Sequence, residues 1–317
     1  MKKVVILDYA TLLQNNDISL ECFEKFFEVR KYPLTPDEKA IERIGDAEIV
    51  LCNKVKITRE VMEKCPNIEY IGLFATGYNN IDTECAKEKG IAVCNAGSYS
   101  TEAVSQHTFA LILYFFNKVA QYNKAVSDGE WSRSETFSYF PYTVSELAGK
   151  TMAVIGYGSI GKQTAKLADD FGMKVIISTR TKPENCKYEQ VTTEEAFRRA
   201  DVLTVHCPLT PQTENLICRK NLELMKPSAI VINTARGGIV NEQELADALN
   251  NGVIAGAGLD VLREEPMSET TPLKNAKNCI ITPHIAWAGI ETRKRVVEIA
   301  KDNLLSYLNG VRRNRIV

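Results

Sequence analysis

The sequence predicts an α/β protein made of two parallel-sheet units. Short β-branched segments alternate with helical stretches along almost all of the 317 residues, and this alternation is typical of βαβ units. The alternation restarts near residue 151, which indicates a second unit. The length agrees with this division, because a domain commonly contains ~150 residues.

The first unit begins with a strand candidate at 3–7, and a helix is predicted near 18–27. Further strand candidates follow at 47–52, 69–74 and 91–96. A long, largely buried helix then starts near Ser100 or Thr101, either of which can cap it. Glu102 favours the positive end of that helix. Its apolar residues recur at helical spacing: Val104, Phe109, Leu111, Ile112, Phe115 and Phe116.

The segment Trp131–Tyr142 after this helix is aromatic and irregular. Large exposed aromatic patches usually mark contacts, so we predict an arm that grips a second subunit. Packing within the same chain is the alternative interpretation.

The second unit supplies six more strand candidates, at 151–156, 174–179, 202–207, 229–234, 254–260 and 278–283. A last helix is expected at about Glu291–Leu308, where it can return to the first unit.

The composition excludes several classes of protein. The chain has 39 Lys+Arg against 40 Asp+Glu, a formal net charge of -1, whereas nucleic-acid binders need a clustered basic excess. Its most apolar stretch, Phe109–Phe116, is far shorter than the ~20 residues that cross a bilayer. The N-terminus lacks the pattern of a signal peptide. We therefore expect a soluble, cytoplasmic protein with neither nucleic-acid nor membrane partners.

Nine cysteines are scattered along the chain without a C-x-x-C pair. This odd number and spacing argue against a disulfide framework and a zinc site. We expect reduced thiols and no bound metal.

A glycine motif marks a dinucleotide site. Gly156, Gly158 and Gly161 form G-x-G-x-x-G between a predicted strand and a predicted helix, the context that makes the motif specific. Gly156 permits a tight turn, Gly158 lets the backbone approach a pyrophosphate, and Gly161 lets the helix press on the sheet. The helix N-terminus favours phosphate. A plain strand-to-helix turn is the alternative.

The next strand is followed by Thr179, Arg180 and Thr181. NAD-binding chains usually place a carboxylate here for the ribose 2′-OH, and this chain has none. The Arg180 guanidinium can bind a 2′-phosphate or stack on adenine, and the two threonine hydroxyls add donors. We favour NADP(H), with NAD(H) possible if Arg180 is a solvated side chain beside a site of mixed preference.

Three further residues follow strands whose carboxyl ends meet at one edge of a parallel sheet: Arg236, Glu265 and His284. Taken singly, they suit a surface ion pair, a solvated carboxylate and a packed imidazole. Together, a guanidinium can bind a substrate carboxylate, an imidazolium can donate a proton, and a carboxylate can orient the imidazole. We read His107 and His206 as packing or supporting groups.

These residues lie in stretches that resemble the D-isomer-specific 2-hydroxyacid dehydrogenase family over essentially the whole chain. The stretches are GYGSIG at 156–161, VHCPLTPQTENLI at 205–217, MKPSAIVINTARGGIVNEQELADAL at 225–249, GAGLDVLREEP at 256–266 and TPHIAW at 282–287. Within the family, LFATGYNNID, GEWSRS and NTARGG look most like the hydroxypyruvate/glyoxylate reductases, also called glycerate dehydrogenases.

The resemblance implies roles for individual residues. Arg236 would bind the substrate carboxylate and carbonyl, His284 would donate the proton, and Glu265 would be its partner. Asp260 would hold the nicotinamide end of the cofactor. The other implied cofactor contacts are Tyr157, Ser159, Ile160, Thr101, Cys207, Pro208, Thr213, Thr234 and Ala235.

The stretch at 73–82 resembles the carboxylate-binding loop of the family. The implied substrate contacts are the backbone N–H groups of Thr76 and Gly77, with Lys54 nearby. A simple turn made by Gly77 and Asn79, and a solvated Lys54, are the alternatives.

The family arrangement implies a flavodoxin-like substrate domain at 1–98 plus 287–317. A Rossmann cofactor domain at 99–286 would be inserted into it, with a cleft that closes on the substrate. The implied reaction reduces hydroxypyruvate or glyoxylate to D-glycerate or glycolate, in a homodimer. Two alternatives remain: a dehydrogenase for a bulkier D-2-hydroxy acid, and a binding protein like the dinucleotide-sensing corepressors.

Overall fold

The computed structural model describes residues 1–14, 17–181 and 183–317. Contacts divide the chain into two compact units, Met1–Tyr99 with Ala288–Val317, and Ser100–Trp287. Each unit contains a parallel sheet, which confirms the predicted α/β class. No helix in the described ranges is long and apolar enough to span a membrane.

The sheet of the first unit has the strand order of flavodoxin-like folds. Its strands are β1 (Lys3–Ile6), β2 (Glu28–Lys31), β3 (Ile49–Cys52), β4 (Tyr70–Leu73) and β5 (Ala92–Cys94). They pair in the order β2-β1-β3-β4-β5. The helices are α1 (Glu21–Glu24), α2 (Ala40–Ile44), α3 (Arg59–Lys64), α4 (Thr83–Glu88) and α11 (Ile290–Leu308). The predicted last helix is therefore present, and it belongs to this unit.

The predicted helix near 18–27 is wrong in extent. Only α1 is α-helical there, and β2 follows directly as a strand that the sequence did not predict. β2 reads EVRK and lies at the sheet edge, where its backbone pairs with β1 and its side chains are partly exposed. An edge strand needs no apolar run, because backbone pairing rather than burial defines it.

The second unit has a longer sheet. Its strands are β6 (Thr151–Ile155), β7 (Lys174–Ser178), β8 (Glu189–Gln190), β9 (Val202–Val205), β10 (Ile230–Asn233), β11 (Gly256–Leu259) and β12 (Cys279–Ile281). They pair in the order β12-β11-β10-β9-β6-β7-β8. The chain runs outward from β6 in both directions, so the turn after β6 lies at the point where the strand order reverses, the usual place for a ligand in such sheets.

The helices of this unit are α5 (Thr101–Asn117), α6 (Val119–Ser127), α7 (Ser159–Asp170), α8 (Thr193–Arg199), α9 (Arg219–Leu222) and α10 (Glu242–Asn250). α5 buries Val104, Phe109, Leu111 and Ile112, as its spacing predicts. The helix starts where it was predicted, with Ser100 as its N-cap residue, but the Ser100 side chain makes no cap hydrogen bond, so that part of the prediction is wrong.

α5 lies close against β11 because that strand is rich in small residues. A Cβ on Gly256 would lie 2.6 Å from Phe115 Cε1, and one on Gly258 would lie 3.1 Å from Leu111 Cβ. The glycines of β11 therefore let α5 approach the sheet, and the helix brings its polar residues to the ends of the neighbouring strands.

Candidate active site

The first position of the turn after β6 has room only for glycine. Gly156 has φ +90°, a conformation that favours glycine, and its N–H donates to the Ser178 carbonyl at 2.8 Å. A Cβ there would lie 2.6 Å from the Cys207 nitrogen. The turn is thus held between β7 and the residues that follow β9.

Gly161 and Gly158 differ in what surrounds them. A Cβ on Gly161 would lie 2.1 Å from the Gly156 carbonyl oxygen, whereas one on Gly158 would meet nothing within 4 Å. α7 begins at Ser159, with Gly158 as its N-cap residue. Gly161 therefore lets the helix press on the turn, and Gly158 faces open space at a helix N-terminus, where a pyrophosphate can bind.

The other residues of the motif lie around this turn. Ser159 and Ile160 are the first residues of α7. Tyr157 packs edge-to-face against Tyr188, with ring centroids 6.3 Å apart.

The turn after β7 carries Thr179, Arg180 and Thr181. Thr179 is held by Gln190, whose Nε2 donates to the Thr179 carbonyl at 2.9 Å. Arg180 and Thr181 are exposed. The Arg180 guanidinium makes no hydrogen bond or ion pair with any described residue. It is thus available to an anion.

The residues after β9 lie beside the glycine turn. Thr213 fixes them, because its hydroxyl donates to the Pro208 carbonyl at 2.7 Å and accepts the Thr210 N–H at 2.8 Å. Desolvation raises the pKa of Cys207 to about 11. It also lowers the pKa of His206 to about 3. His206 is thus neutral, and its Nε2 lies 2.9 Å from the Thr204 hydroxyl.

Arg236 follows β10 on a turn that buried Asn233 holds. The Asn233 side chain donates to the Arg236 carbonyl at 2.9 Å and accepts the Ala235 N–H at 3.0 Å. A Cβ on Gly237 would lie 1.8 Å from the Leu262 carbonyl carbon, so only glycine fits after Arg236. The Arg236 side chain itself is exposed, and its Nη1 donates to the Ala235 carbonyl at 2.7 Å.

Two more of the expected cofactor contacts lie near this turn or on α5. Thr234, directly after β10, is buried, and its hydroxyl lies 3.1 Å from that of Thr108 on α5. Thr101 is the first residue of α5.

His284 and Glu265 form a direct pair. The His284 Nδ1 lies 2.6 Å from Glu265 Oε2, and the other Glu265 oxygen accepts the Leu262 N–H at 3.0 Å. A carboxylate only accepts, so Nδ1 carries the proton of this bond. The other ring nitrogen, Nε2, has no hydrogen-bond partner among the described residues.

The loop that carries His284 is held by Asp260, whose side chain is 1% exposed. One Asp260 oxygen accepts the Thr282 hydroxyl at 2.6 Å and the Ile285 N–H at 2.9 Å. The other accepts the Ala286 N–H at 2.8 Å. Asp260, which the resemblance places at the nicotinamide, thus also orders the loop from 282 to 286.

The three candidate catalytic residues share one sheet edge. β10, β11 and β12 are adjacent and parallel, and Arg236, Glu265 and His284 each follow the carboxyl end of one of them. Of these three side chains, His284 and Glu265 are in direct contact in the ranges that the structure describes.

The sequence analysis did not predict a role for Asn233 or Thr282. Both are polar residues at the ends of apolar strands, and that position is the signal that could have identified them.

The first unit holds the expected substrate loop. Asn95 Nδ2 donates to the Thr76 carbonyl at 2.7 Å, and the Thr76 hydroxyl donates to the Gly97 carbonyl. The backbone N–H groups of Thr76 and Gly77 have no acceptor among the described residues. These two N–H groups can therefore bind an anionic ligand.

Lys54 lies on a loop that buried Asp8 organises. Asp8 accepts the backbone N–H groups of Asn53, Lys54 and Val55 at 2.8, 2.6 and 3.2 Å. Burial raises the pKa of the Asp8 carboxyl, and these N–H groups oppose the rise. The position of the Lys54 backbone is therefore fixed by a buried carboxylate.

No cluster of three or more His, Cys, Asp or Glu side chains that could hold a metal ion occurs in the part of the chain that the structure describes.

Comparison with known proteins identifies the family of this chain. A family model described as "D-isomer specific 2-hydroxyacid dehydrogenase, NAD binding domain" matches residues 109–286. A hydroxypyruvate reductase of Blautia hydrogenotrophica is 44% identical over 97% of this chain and 97% of its own. A glycerate dehydrogenase of Methylorubrum extorquens is 37% identical over 99% and 98%. The solved structure of an acyclic imino acid reductase in complex with NADPH and D-Arg superposes with a TM-score of 0.88, at 31% identity over 99% of this chain and 100% of that chain.

Proposed function

Because this chain belongs to the D-isomer-specific 2-hydroxyacid dehydrogenase family, we propose that it reduces a small 2-oxo acid, hydroxypyruvate or glyoxylate, with NADPH. It is an oxidoreductase that uses a nicotinamide dinucleotide. The proposal rests above all on the 2.6 Å contact between His284 and Glu265, at the sheet edge that also carries Arg236. The names of the full-length relatives support the choice of substrates.

The reaction divides between cofactor and protein. The reduced nicotinamide, when bound, supplies the hydride to the carbonyl carbon. The Arg236 guanidinium binds the substrate carboxylate and polarises the carbonyl. His284 donates the Nε2 proton to the carbonyl oxygen as negative charge develops there. Glu265 holds the Nδ1 proton in place and stabilises the charged ring.

The glycine turn would hold the cofactor pyrophosphate. The open space at Gly158 and the N-terminus of α7 fit that group. The preference for NADPH would come from Arg180, which is exposed and makes no ion pair with a described residue. No carboxylate stands at 179–181 to repel a 2′-phosphate.

The second unit would bind the cofactor, and the first unit carries a candidate carboxylate-binding loop. The N–H groups of Thr76 and Gly77, which lack acceptors among the described residues, fit a carboxylate. Lys54 would add positive charge near that loop.

We also propose a homodimer, gripped by the segment Trp131–Tyr142. The polar groups of two aromatic side chains make hydrogen bonds within the chain. Trp131 Nε1 donates to the Phe137 carbonyl at 3.0 Å, and the Tyr139 hydroxyl donates to Glu130 at 2.8 Å. The rings of Phe137 and Phe140 remain 92% and 81% exposed. An ordered segment with two exposed phenyl rings suits a protein partner.

We also propose a cytoplasmic location, where the nine free cysteines would stay reduced.

A substrate panel tests the main proposal. Purified protein is assayed with hydroxypyruvate, glyoxylate, pyruvate and 2-oxoisocaproate, each with NADPH and NADH. We expect the highest kcat/KM for one of the first two acids with NADPH. A preference for 2-oxoisocaproate would favour the dehydrogenase of bulkier acids, and dinucleotide binding without turnover would favour a binding protein.

A further inference from the structure

A third histidine connects to the loop of His284. His107 projects from α5, and its Nε2 lies 2.9 Å from the Thr282 hydroxyl and 3.4 Å from Asp260 Oδ1. Its side chain is 18% exposed. Thr282 and Asp260 are the residues that hold the loop from 282 to 286.

Proton counting fixes the direction of these hydrogen bonds. The Asp260 carboxylate only accepts, so the Thr282 hydroxyl spends its single proton on Asp260 at 2.6 Å. The Thr282 oxygen must then accept from His107 Nε2. His107 therefore carries a proton on Nε2 and donates it toward Thr282.

The loop needs such support because His284 has φ +54°. A non-glycine residue in the left-handed region is strained and persists only where its surroundings fix it. The Asp260 carboxylate accepts hydrogen bonds from residues on both sides of His284: Thr282 before it, and Ile285 and Ala286 after it. His107 adds the one side-chain bond in the described part of the chain that ties Thr282 to α5.

We propose that His107 is a positioning residue, which orients the proton donor His284 through Thr282 and Asp260. This inference rests on the proposed function for the role of His284. It gives α5 a part in the reaction, although His107 itself exchanges no proton with the substrate.

Two variants separate donor geometry from packing. His107→Leu removes the donor and keeps a bulky side chain, whereas His107→Gln places an amide N–H near the position of Nε2. We expect His107→Leu to lower kcat by ~10- to 100-fold, with the Kd for NADPH little changed. The isotope effect with deuterium-labelled NADPH should rise, because chemistry becomes slower than release. His107→Gln should restore most of kcat.

Proton NMR gives a readout that needs no turnover. The chain has three histidines, so His284→Gln assigns the ring signals of His284 by difference. We expect those signals to shift or broaden in His107→Leu and to return close to their wild-type positions in His107→Gln. If the leucine variant does not fold, Thr282→Val removes the link to His107 together with the Thr282–Asp260 hydrogen bond, and should change kcat and the His284 signals at least as much.

The proposal is overturned if His107→Leu leaves both kcat and the His284 signals unchanged, or if the glutamine and leucine variants behave alike. If the wild type turns over no 2-oxo acid, the proposed function fails, and the NMR comparison still decides whether His107 positions the ring.

Discussion

Glu265 and His284, from the loops after β11 and β12, meet with 2.6 Å between Oε2 and Nδ1. The contact fixes which ring nitrogen faces outward, since Nδ1 is committed to the carboxylate. In the proposed reaction, His284 would donate a proton from Nε2, and Glu265 would orient the ring through Nδ1.

The first prediction concerns His284. His284→Asn keeps a polar side chain but cannot act as an acid, so we expect kcat to fall by roughly 100- to 10,000-fold. NADPH binding, followed by the fluorescence of the reduced nicotinamide, should change little. Glu265→Gln keeps an acceptor for Nδ1 without the charge and should lie between the wild type and His284→Asn. A His284→Asn enzyme with wild-type kcat would rule out the acid role.

The second prediction contrasts two glycines of the same motif. Gly161→Ala places a methyl group 2.1 Å from a carbonyl oxygen, so we expect it to lower the free energy of unfolding by about 1–3 kcal/mol. Gly158→Ala meets no protein atom within 4 Å and should keep wild-type stability while it weakens NADPH binding. Urea unfolding and fluorescence titration measure the two effects. Equal NADPH affinity in Gly158→Ala and the wild type would place the pyrophosphate elsewhere.

The third prediction tests the choice of cofactor. Arg180→Asp removes the cation and adds a repulsive charge, so the ratio of kcat/KM for NADPH to that for NADH should fall by about tenfold or more. Arg312→Asp, the same charge change on an exposed arginine of the other unit, is the matched control. An unchanged ratio in Arg180→Asp would show that other groups recognise the 2′-phosphate.

The fourth prediction follows from half-buried His206, whose pKa desolvation lowers to about 3. The unfolded chain takes up a proton at this histidine below pH ~6.5, whereas the folded chain does so only near pH 3. His206 therefore makes the free energy of unfolding fall as the pH drops through this window, by up to about 1.4 kcal/mol per pH unit. Urea unfolding at pH 7.5 and 5 should show a smaller loss in His206→Gln than in the wild type. Equal losses would contradict an imidazole that stays neutral in the folded chain over this pH range.

The fifth prediction concerns assembly. Phe137→Ser with Phe140→Ser removes two rings that are 92% and 81% exposed, and should convert a dimer into a monomer with unchanged helix content. Light scattering and circular dichroism measure these properties. Phe171→Ser, another exposed phenylalanine, is the control and should remain dimeric. A monomeric wild type would refute the dimer itself.

Much of the fold could be predicted because buried parallel strands are continuous apolar runs. β6, β9 and β10 read that way and were expected at nearly their observed bounds. β2 and β8 read EVRK and EQ and were missed, because edge strands depend on backbone pairing with a neighbour that is distant in sequence.

The site divides in a similar way. Gly156 and Gly161 follow from a local motif, since the contacts that require glycine lie within the turn and its neighbours. The hydrogen bonds of Asn233 do not, and although His107 was predicted to be a packing or supporting group, its contact with Thr282 was not, because these bonds join residues that folding brings together. A single asparagine or histidine outside a motif gives no sequence signal that predicts such a hydrogen bond.

The glycine turn does not depend on the side chain of Arg180. The turn is specified by contacts among β6, α7, the last residue of β7 and the residues after β9, whereas the Arg180 side chain makes none of them. Changing the preference between NADPH and NADH should therefore require substitutions only in the short exposed segment 179–181, while the glycine turn keeps its sequence. Such a separation makes the enzyme a practical starting point for engineering a reductase matched to either reductant pool of a host cell.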